Sequence, residues 1–277
     1  MRTRTENCFR MKGAFKLVLI LLSICILVIS YVYAEKPDPV GPTSITRGAD
    51  QKFDPSQWAP SQVNSKAGNL TELSLNVTAP TMTWQGYYGN VTGTITLDDA
   101  NNWTMYSWVS SDPQGEIYAS NGSIVTWSKI MCFNYTTDGP DSTLFSANLT
   151  TIETMFGLQA SDEDGVNETF DVRGLLSDGS TPHPVVYVGE YTIDSGSCPV
   201  TDTYQNDSDY GTDFIELLLT DNTSVIFTTI IENRIEGSSG GIQGYNNQTN
   251  DFQMIVGDNG HDGDNTVTNY YFFVELE

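Results

Sequence analysis

Eleven Asn-x-Ser/Thr triplets constrain how this chain can fold, because each is an N-glycan acceptor that must reach water if it is used. Asparagine, serine and threonine at their abundance here would give roughly four such triplets by chance, so the excess indicates glycosylation outside the cell. A fold that carries so many acceptors has to place them in turns or on the polar side of strands. The triplets begin at Asn69, Asn76, Asn90, Asn102, Asn121, Asn134, Asn148, Asn167, Asn206, Asn222 and Asn247.

Residues 1–34 have the pattern of an export segment. Five basic residues precede an uncharged apolar run from Leu17 to Ala34, and Val32-Tyr33-Ala34 suits a signal-peptidase site. The run is also long enough for a membrane-spanning helix, which needs about 20 residues with a lower limit near 17. A cleaved signal peptide and a retained signal-anchor helix are both compatible with it. Either one places residues 35–277 outside, secreted or at the cell surface, because the positive charges stay in the cytoplasm.

The exported part is strongly acidic. Residues 1–34 hold five of the 12 basic residues and one of the 35 acidic ones, so 34 acids and 7 bases remain, a net charge of −27. Such a surface repels nucleic acid and anionic lipid, so we expect no nucleic-acid partner. A membrane contact is expected only through the N-terminal helix, if it is retained.

Two cysteines remain after the export segment. Cys8 and Cys25 lie within that segment, which leaves Cys132 and Cys198 as an even pair in an oxidising compartment. A bridge between them would close a loop of about 66 residues and contribute about 4 kcal/mol in the chain-entropy model. A zinc site is less favoured, because His183 and His261 are the only imidazoles in the chain.

The pattern of the chain changes near residue 71. Residues 35–70 contain five prolines and few regular apolar positions, which predicts an extended stalk or linker. From residue 71 apolar residues alternate with polar ones, the period of β-strands. Leu73, Leu75 and Val77 form one such run, and the strand containing Ile95 and Leu97 forms another. In both, the sequon asparagine falls on the polar side, as does Asn134, so residues 71–277 are predicted to be a β-rich ectodomain.

Further strands and one helix are predicted along this domain. Thr150 and Glu153 form a capping box for a short helix that Gly157 can end. One hairpin is predicted across Thr220–Ser224, and a second joins residues 252–256 to 266–276 across a Gly/Asp-rich loop. The additional predicted strands are 103–109, 116–119, 123–127, 184–188, 190–193, 214–219 and 225–231.

The predicted fold class is therefore all-β: an extracellular, Ig-like or similar β-sandwich with one short helix, preceded by an N-terminal apolar helix. Two strands are apolar on both sides and are expected to be covered on both faces. The first runs from Trp103 to Val109. The second, Tyr270–Leu276, would make the C-terminus part of the core.

Several blocks of this sequence resemble exported surface proteins of archaea that have no assigned reaction. These blocks are Trp84–Gly93 (WQGYYGNVTG), Asp162–Gly165, Asp251–Gly257 and the closing Tyr270–Glu277. The likeness would cover most of residues 80–277. It implies an extracellular β-rich domain and gives no functional residues to transfer.

Two acidic loops are candidate calcium sites. One contains Asp162, Asp164 and Asn167 around Gly165, and the other contains Asp258, Asp262 and Asp264. Calcium takes six to eight oxygen ligands, which such loops can converge, although neither matches the complete EF-hand pattern. Solvated turns are the alternative reading, so calcium is the one cofactor that the sequence leaves open.

Catalytic signatures are weak. Gly237-Ser238-Ser239-Gly240-Gly241 fits the nucleophile-elbow pattern but lacks the helix that should follow it. The aromatic residues Trp84, Tyr87, Tyr88 and Trp127 could stack on sugars, yet aromatics on strands more often belong to a core. We expect a non-enzymatic surface protein with a structural, adhesive or assembly role, whose partners are copies of itself or other envelope proteins. A soluble glycan- or calcium-binding module is the alternative, and a secreted hydrolase is a weaker one.

Overall fold

The computed structural model describes residues 36–54, 60, 62–110, 113–133, 135, 149–159, 161–206, 211–231, 242–260 and 266–276. The structure is mostly β-sheet with few helices, which confirms the all-β class. Within the described ranges, no helix is long and apolar enough to cross a membrane. The export segment predicted at residues 1–34 lies outside them.

The strands follow one another along the chain from residue 84 to residue 276. Two helices, α1 (Leu149–Met155) and α2 (Val166–Thr169), and a 3-10 turn at Trp127–Lys129 interrupt them. The strands are β1 (Trp84–Gly89), β2 (Gly93–Asp98), β3 (Thr104–Ser110), β4 (Gly115–Ser120), β5 (Met131–Cys132), β6 (Val186–Val188), β7 (Tyr191–Ile193), β8 (Val200–Asp202), β9 (Ile215–Thr220), β10 (Val225–Ile230), β11 (Phe252–Gly257) and β12 (Tyr271–Leu276).

A six-stranded sheet organises the domain. Its order is β12-β4-β10-β9-β5, and β8 also pairs with β9. Every residue of β4 and β9 is buried, because these central strands are covered on both faces. The predicted β9–β10 hairpin is confirmed. Asp221 closes its turn, because its carboxylate accepts the N–H groups of Thr223 and Ser224 at 2.9 and 2.7 Å.

One face of this sheet lies under the β1–β11 pair and the two helices. Ile152 and Phe156 come from α1 and its C-terminal end, Val166 comes from α2, and Met254 comes from β11. All are buried against Leu218, Phe227 and other residues of the central strands. The opposite face lies under the short β6–β7 pair and the 3-10 turn, where Val186, Val188 and Trp127 surround Tyr118 and Leu217.

Side chains of the central sheet also hold the covering strand β11 by its backbone. The carboxylate of Glu216 accepts the N–H of Ile255 at 2.8 Å. The hydroxyl of Thr229 donates to the carbonyl oxygen of Gln253 at 2.8 Å. These bonds pair backbone groups on the edge of β11 that faces away from β1. Two polar side chains therefore take the place of a neighbouring strand there.

Both edges of the six-stranded sheet are partly covered. On one edge, Val40 exchanges backbone hydrogen bonds of 3.1 and 2.8 Å with Val274 of β12. On the other, β5 and β8 pair with different parts of β9, at Leu219 and Leu217 respectively. Covered edges protect a sheet against pairing with other chains.

Three predicted elements are wrong, and the predicted helix is confirmed. Residues 71–77 form no strand, and Leu73, Leu75 and Val77 are exposed, because no described strand lies beside them. Residues 123–126 form a loop before the 3-10 turn. The predicted hairpin of 252–256 with 266–276 is wrong, since β11 pairs with β1 and β12 pairs with β4. The predicted helix exists at Leu149–Met155, and Gly157 follows it with a positive φ of 71°.

The C-terminal strand packs against both core clusters but is a half-buried edge strand, so the expectation that it is covered on both faces is met only in part. Phe272, Val274 and Leu276 pack against one core cluster, and Phe273 packs against the other. Tyr271 is the exception on this strand, because it remains 43% exposed at the edge of the sheet.

Candidate functional site

Cys132 and Cys198 form a disulfide, as the sequence predicts, with their Cα atoms 4.8 Å apart. Cys132 ends β5, and Cys198 lies two residues before β8. Because both short strands pair along the same edge of β9, the bridge clamps two segments that have few ladder bonds of their own. This is a structural role rather than a reactive one.

His183 is a core residue beside the disulfide. Its Nε2 accepts the N–H of Cys198 at 3.0 Å, so its Nδ1 carries the proton and donates to the carbonyl oxygen of Pro184 at 2.7 Å. Burial lowers the pKa of His183, because the charged imidazolium would be poorly solvated there. Both ring nitrogens are therefore occupied, which leaves neither for a metal. The other imidazole, His261, lies outside the described residues.

The sequon asparagines lie at the surface wherever they are described. Asn69, Asn76, Asn90, Asn102, Asn167, Asn206 and Asn247 are exposed. Asn121 and Asn222 are half-buried. The amide oxygen of Asn121 accepts the N–H of Val225 at 3.1 Å, which ties this side chain to β10. Asn134 and Asn148 lie outside the described residues.

Four of these asparagines adopt a left-handed backbone. Asn102, Asn206, Asn222 and Asn247 have φ values between 48° and 74°, and among the described residues other than glycine they alone are positive. Asparagine tolerates this region better than most residues, so it is a natural choice at the tip of a tight turn. The glycan acceptors and the turn-forming residues are thus the same positions.

The candidate calcium residues that the structure describes form hydrogen bonds with other protein groups. Asp162 accepts the N–H of Gln159 at 2.8 Å, Asp164 accepts the hydroxyl of Thr81 at 2.5 Å, and Asn167 donates to Glu168 at 2.7 Å. Asp258 accepts the hydroxyl of Thr268 at 2.7 Å. Asp262 and Asp264 are outside the described ranges, and within those ranges no group of three or more His, Cys, Asp or Glu side chains could hold a metal ion.

The candidate sugar-stacking aromatics do not form one platform. Trp84 packs against the core, and its Nε1 donates to the carbonyl oxygen of Asp164 at 2.8 Å. Trp127 is buried beside Tyr118 on the opposite face of the sheet. Tyr87 packs edge-on against Phe272. Only Tyr88 is exposed, where it contacts Tyr245.

Glu216 is a buried acid that the sequence analysis did not single out. It is fully buried in β9, and burial raises its pKa well above the ordinary value. One of its carboxyl oxygens accepts the backbone N–H of Ile255. Its signal was a single acid within the apolar strand Ile215–Thr220, a place where a charge could not be solvated.

The most unusual surface is the β2–β3 hairpin, which was expected to be covered. The two strands pair only with each other within the described part of the chain. The register sets Ile95 opposite Trp108 and Leu97 opposite Tyr106, so these four side chains share one face. They are 43–58% exposed, and the rings of Tyr106 and Trp108 lie 4.8 Å apart. We call these four residues the apolar hairpin face.

The expectation that Trp103–Val109 is covered on both faces was wrong. The two layers that cover the six-stranded sheet lie over its central strands only. Those protected positions are occupied by β4, β9 and β10. The hairpin begins beside the sheet, where a Cβ on Gly93 would meet Leu276 of β12, and no described element lies over it. The alternation of apolar residues therefore predicted the two strands, but it did not predict whether other elements cover them.

No protein-family model, curated protein or solved structure matches this chain. The resemblance to exported surface proteins of archaea stays a prediction.

Proposed function

We propose that this protein is exported and N-glycosylated and acts at the cell surface in a structural, adhesive or assembly role. The observation that supports this role is the apolar hairpin face. It is an exposed aromatic and aliphatic surface on a chain whose net charge after residue 34 is −27. Exposed apolar patches of this kind are typical of interaction sites. The domain that presents it is a layered β-sandwich, stabilised by the disulfide.

Export is supported independently by the positions of the sequons. Nine of the eleven acceptor asparagines are described, and none is buried. An acceptor asparagine has to be accessible to be modified, so these positions agree with glycosylation. The disulfide agrees with the same compartment.

Mass spectrometry of the protein from its own cells tests the proposal. We expect it in the surface or medium fraction, glycosylated at most of the exposed sequons and with Cys132 bridged to Cys198. Its N-terminus would also distinguish a cleaved signal from a retained anchor. Unmodified asparagines together with free thiols in a cytoplasmic fraction would refute export and, with it, the surface role.

A glycan-binding module is a second candidate, and the same face favours it. Tyr106 and Trp108 are half-exposed aromatic rings, and such rings can stack on sugars. Binding of the intact protein to immobilised polysaccharide, lost on Trp108→Ala but not on Trp103→Ala, would support this candidate.

A further inference from the structure

We infer that copies of this protein join head to tail by strand exchange, the segment 71–77 of one copy pairing with the β2–β3 hairpin of the next. The inference rests on the proposed surface role and specifies its assembly partner. Two features of the same chain support it. One is a strand-like segment that belongs to no described sheet, and the other is a hairpin that lacks a third strand.

The first feature is a strand-like segment without a sheet. Residues 71–77 alternate Leu73, Leu75 and Val77 with Glu72, Ser74 and Asn76. The three apolar side chains are 58%, 84% and 78% exposed, and this segment takes part in none of the strand pairs of the described chain. Such a segment gains backbone hydrogen bonds and buries its apolar side only when another strand edge is supplied.

The second feature is the two-stranded β2–β3 sheet, whose apolar face no described element covers. A two-stranded hairpin alone is at best marginally stable in water, and a third strand is the usual remedy. The main sheet has its edges partly covered by Val40 and by the disulfide-linked strands, whereas β2 and β3 have their outer edges unpaired among the described residues. A donated strand would therefore bind at the hairpin.

Charge favours a second copy as the donor. From residue 73 to residue 111 the only charged side chains are Asp98 and Asp99, both at the turn of the hairpin. Two molecules with a net charge of −27 repel one another unless they meet through neutral surface, and this stretch is the neutral surface that both possess. A cationic partner would instead be drawn to the acidic remainder.

The glycan acceptors are arranged to leave this contact free. Asn76 alternates with the apolar residues of the segment, so in a paired strand it would face away from them. Asn90 precedes β2 and Asn102 lies between the two strands, so neither strand contains an acceptor asparagine. Bulky sugars would then surround the contact without entering it.

The apolar surface available to this contact is that of a small interface. Seven side chains contribute, each between 43% and 84% exposed: Leu73, Leu75, Val77, Ile95, Leu97, Tyr106 and Trp108. Three of them belong to the donor and four to the acceptor, so each partner contributes roughly half of the ~800 Å² that one side of a standard interface buries, and the backbone hydrogen bonds of the added strand supply the rest of the contact. A donor on one side and an acceptor on the other make the contact heterologous, which generates a ring if the rotation between copies closes and an open chain if it does not.

Sedimentation equilibrium of the intact glycosylated protein tests the inference with two matched pairs of variants. Leu97→Asp puts a charge on the apolar hairpin face, and Thr96→Asp puts the same charge on the opposite face of the same strand. Leu75→Asp and Ser74→Asp are the equivalent pair in the segment. We expect concentration-dependent association of the wild type, weakened about tenfold or more by Leu97→Asp and by Leu75→Asp. The two controls should stay within about twofold of the wild type.

Mixing separates strand exchange from face-to-face packing. The Leu75→Asp variant keeps an intact hairpin and the Leu97→Asp variant keeps an intact segment, so an equimolar mixture should form heterodimers that neither forms alone. Absence of this rescue, equal effects within a matched pair, or a wild type that stays monomeric at all concentrations would each overturn the inference.

The controls also separate this inference from the proposed function. A monomeric but exported and glycosylated protein refutes strand exchange alone, whereas a cytoplasmic, unmodified protein refutes the surface role. If the monomer binds polysaccharide through Trp108, the glycan-binding candidate replaces self-assembly. Unchanged circular dichroism and melting of all four variants will show that they remain folded.

Discussion

Removing the disulfide should lower the free energy of unfolding by an amount that depends on how far apart the two cysteines lie in the sequence. Cys132 and Cys198 are 66 residues apart, and closing a loop of that length stabilises the native state by about 4 kcal/mol in the chain-entropy model. For a domain of 150–250 residues each kcal/mol moves the melting temperature by roughly 2–4 °C, so we expect a decrease of about 8–16 °C. Cys198 is fully buried, so alanine is the suitable replacement at both positions.

Differential scanning calorimetry of the Cys132→Ala/Cys198→Ala variant and of the wild type measures this difference. Ser197→Ala is the matched control, because it alters the neighbouring side chain and leaves the bridge intact. The clamped strands β5 and β8 should also become the first sites of proteolysis, since they hold only two and three residues. A decrease below about 3 °C would show that the edge of β9 is held without the bridge, which contradicts the loop-closure argument.

Four further predictions concern two buried titratable residues, one glycan acceptor and the C-terminal strand. Glu216→Gln should match or exceed the wild type in melting temperature at pH 7–8: because the folded pKa is raised, the stabilisation by the acid is complete below its unfolded pKa of about 4.3 and is lost as the pH rises through the folded value. His183 acts in the opposite sense, since its lowered folded pKa means that stability falls as the pH drops below about 6.5. Part of that fall should be absent in His183→Gln and retained in His261→Gln. Glycopeptide analysis should find lower occupancy at Asn121 than at Asn102, because the amide of Asn121 is bonded to Val225. Deleting residues 271–277 should prevent folding and secretion, because their apolar side chains are half-buried against the core and fully burying such a side chain is worth about 1.5–3 kcal/mol, whereas deleting residues 42–54 should not; secreted protein that melts normally after the C-terminal deletion would contradict this.

Local patterns in the sequence predicted most of the central sheet. The turn at Thr220–Ser224 determined the β9–β10 hairpin, because its Asp and Asn supply the side-chain bonds and the positive φ that the turn needs. The cysteine pair was predicted by elimination. Sequon positions predicted surface positions, because an acceptor and a turn tip favour the same residue.

Long-range pairing could not be predicted in this way. Nothing near Phe252 indicates that its strand pairs with residues 84–89 rather than with the strand that follows it. Alternation shows which side chains share a face, but it does not say whether another layer covers that face. The same limit explains the errors at residues 71–77 and at β3, both of which are apolar, strand-like and exposed.

The left-handed asparagines affect how sequons can be removed experimentally. Asn→Gln is the usual replacement, but at Asn102, Asn206 and Asn247 it would put a longer side chain at a backbone angle that glutamine disfavours. A loss of stability there would mix backbone strain with the loss of the sugar. Changing the third residue of the triplet avoids this at Asn102 and Asn247, where Thr104 and Thr249 are exposed. At Asn222 the third residue is Ser224, which is buried, so either replacement would perturb the turn itself.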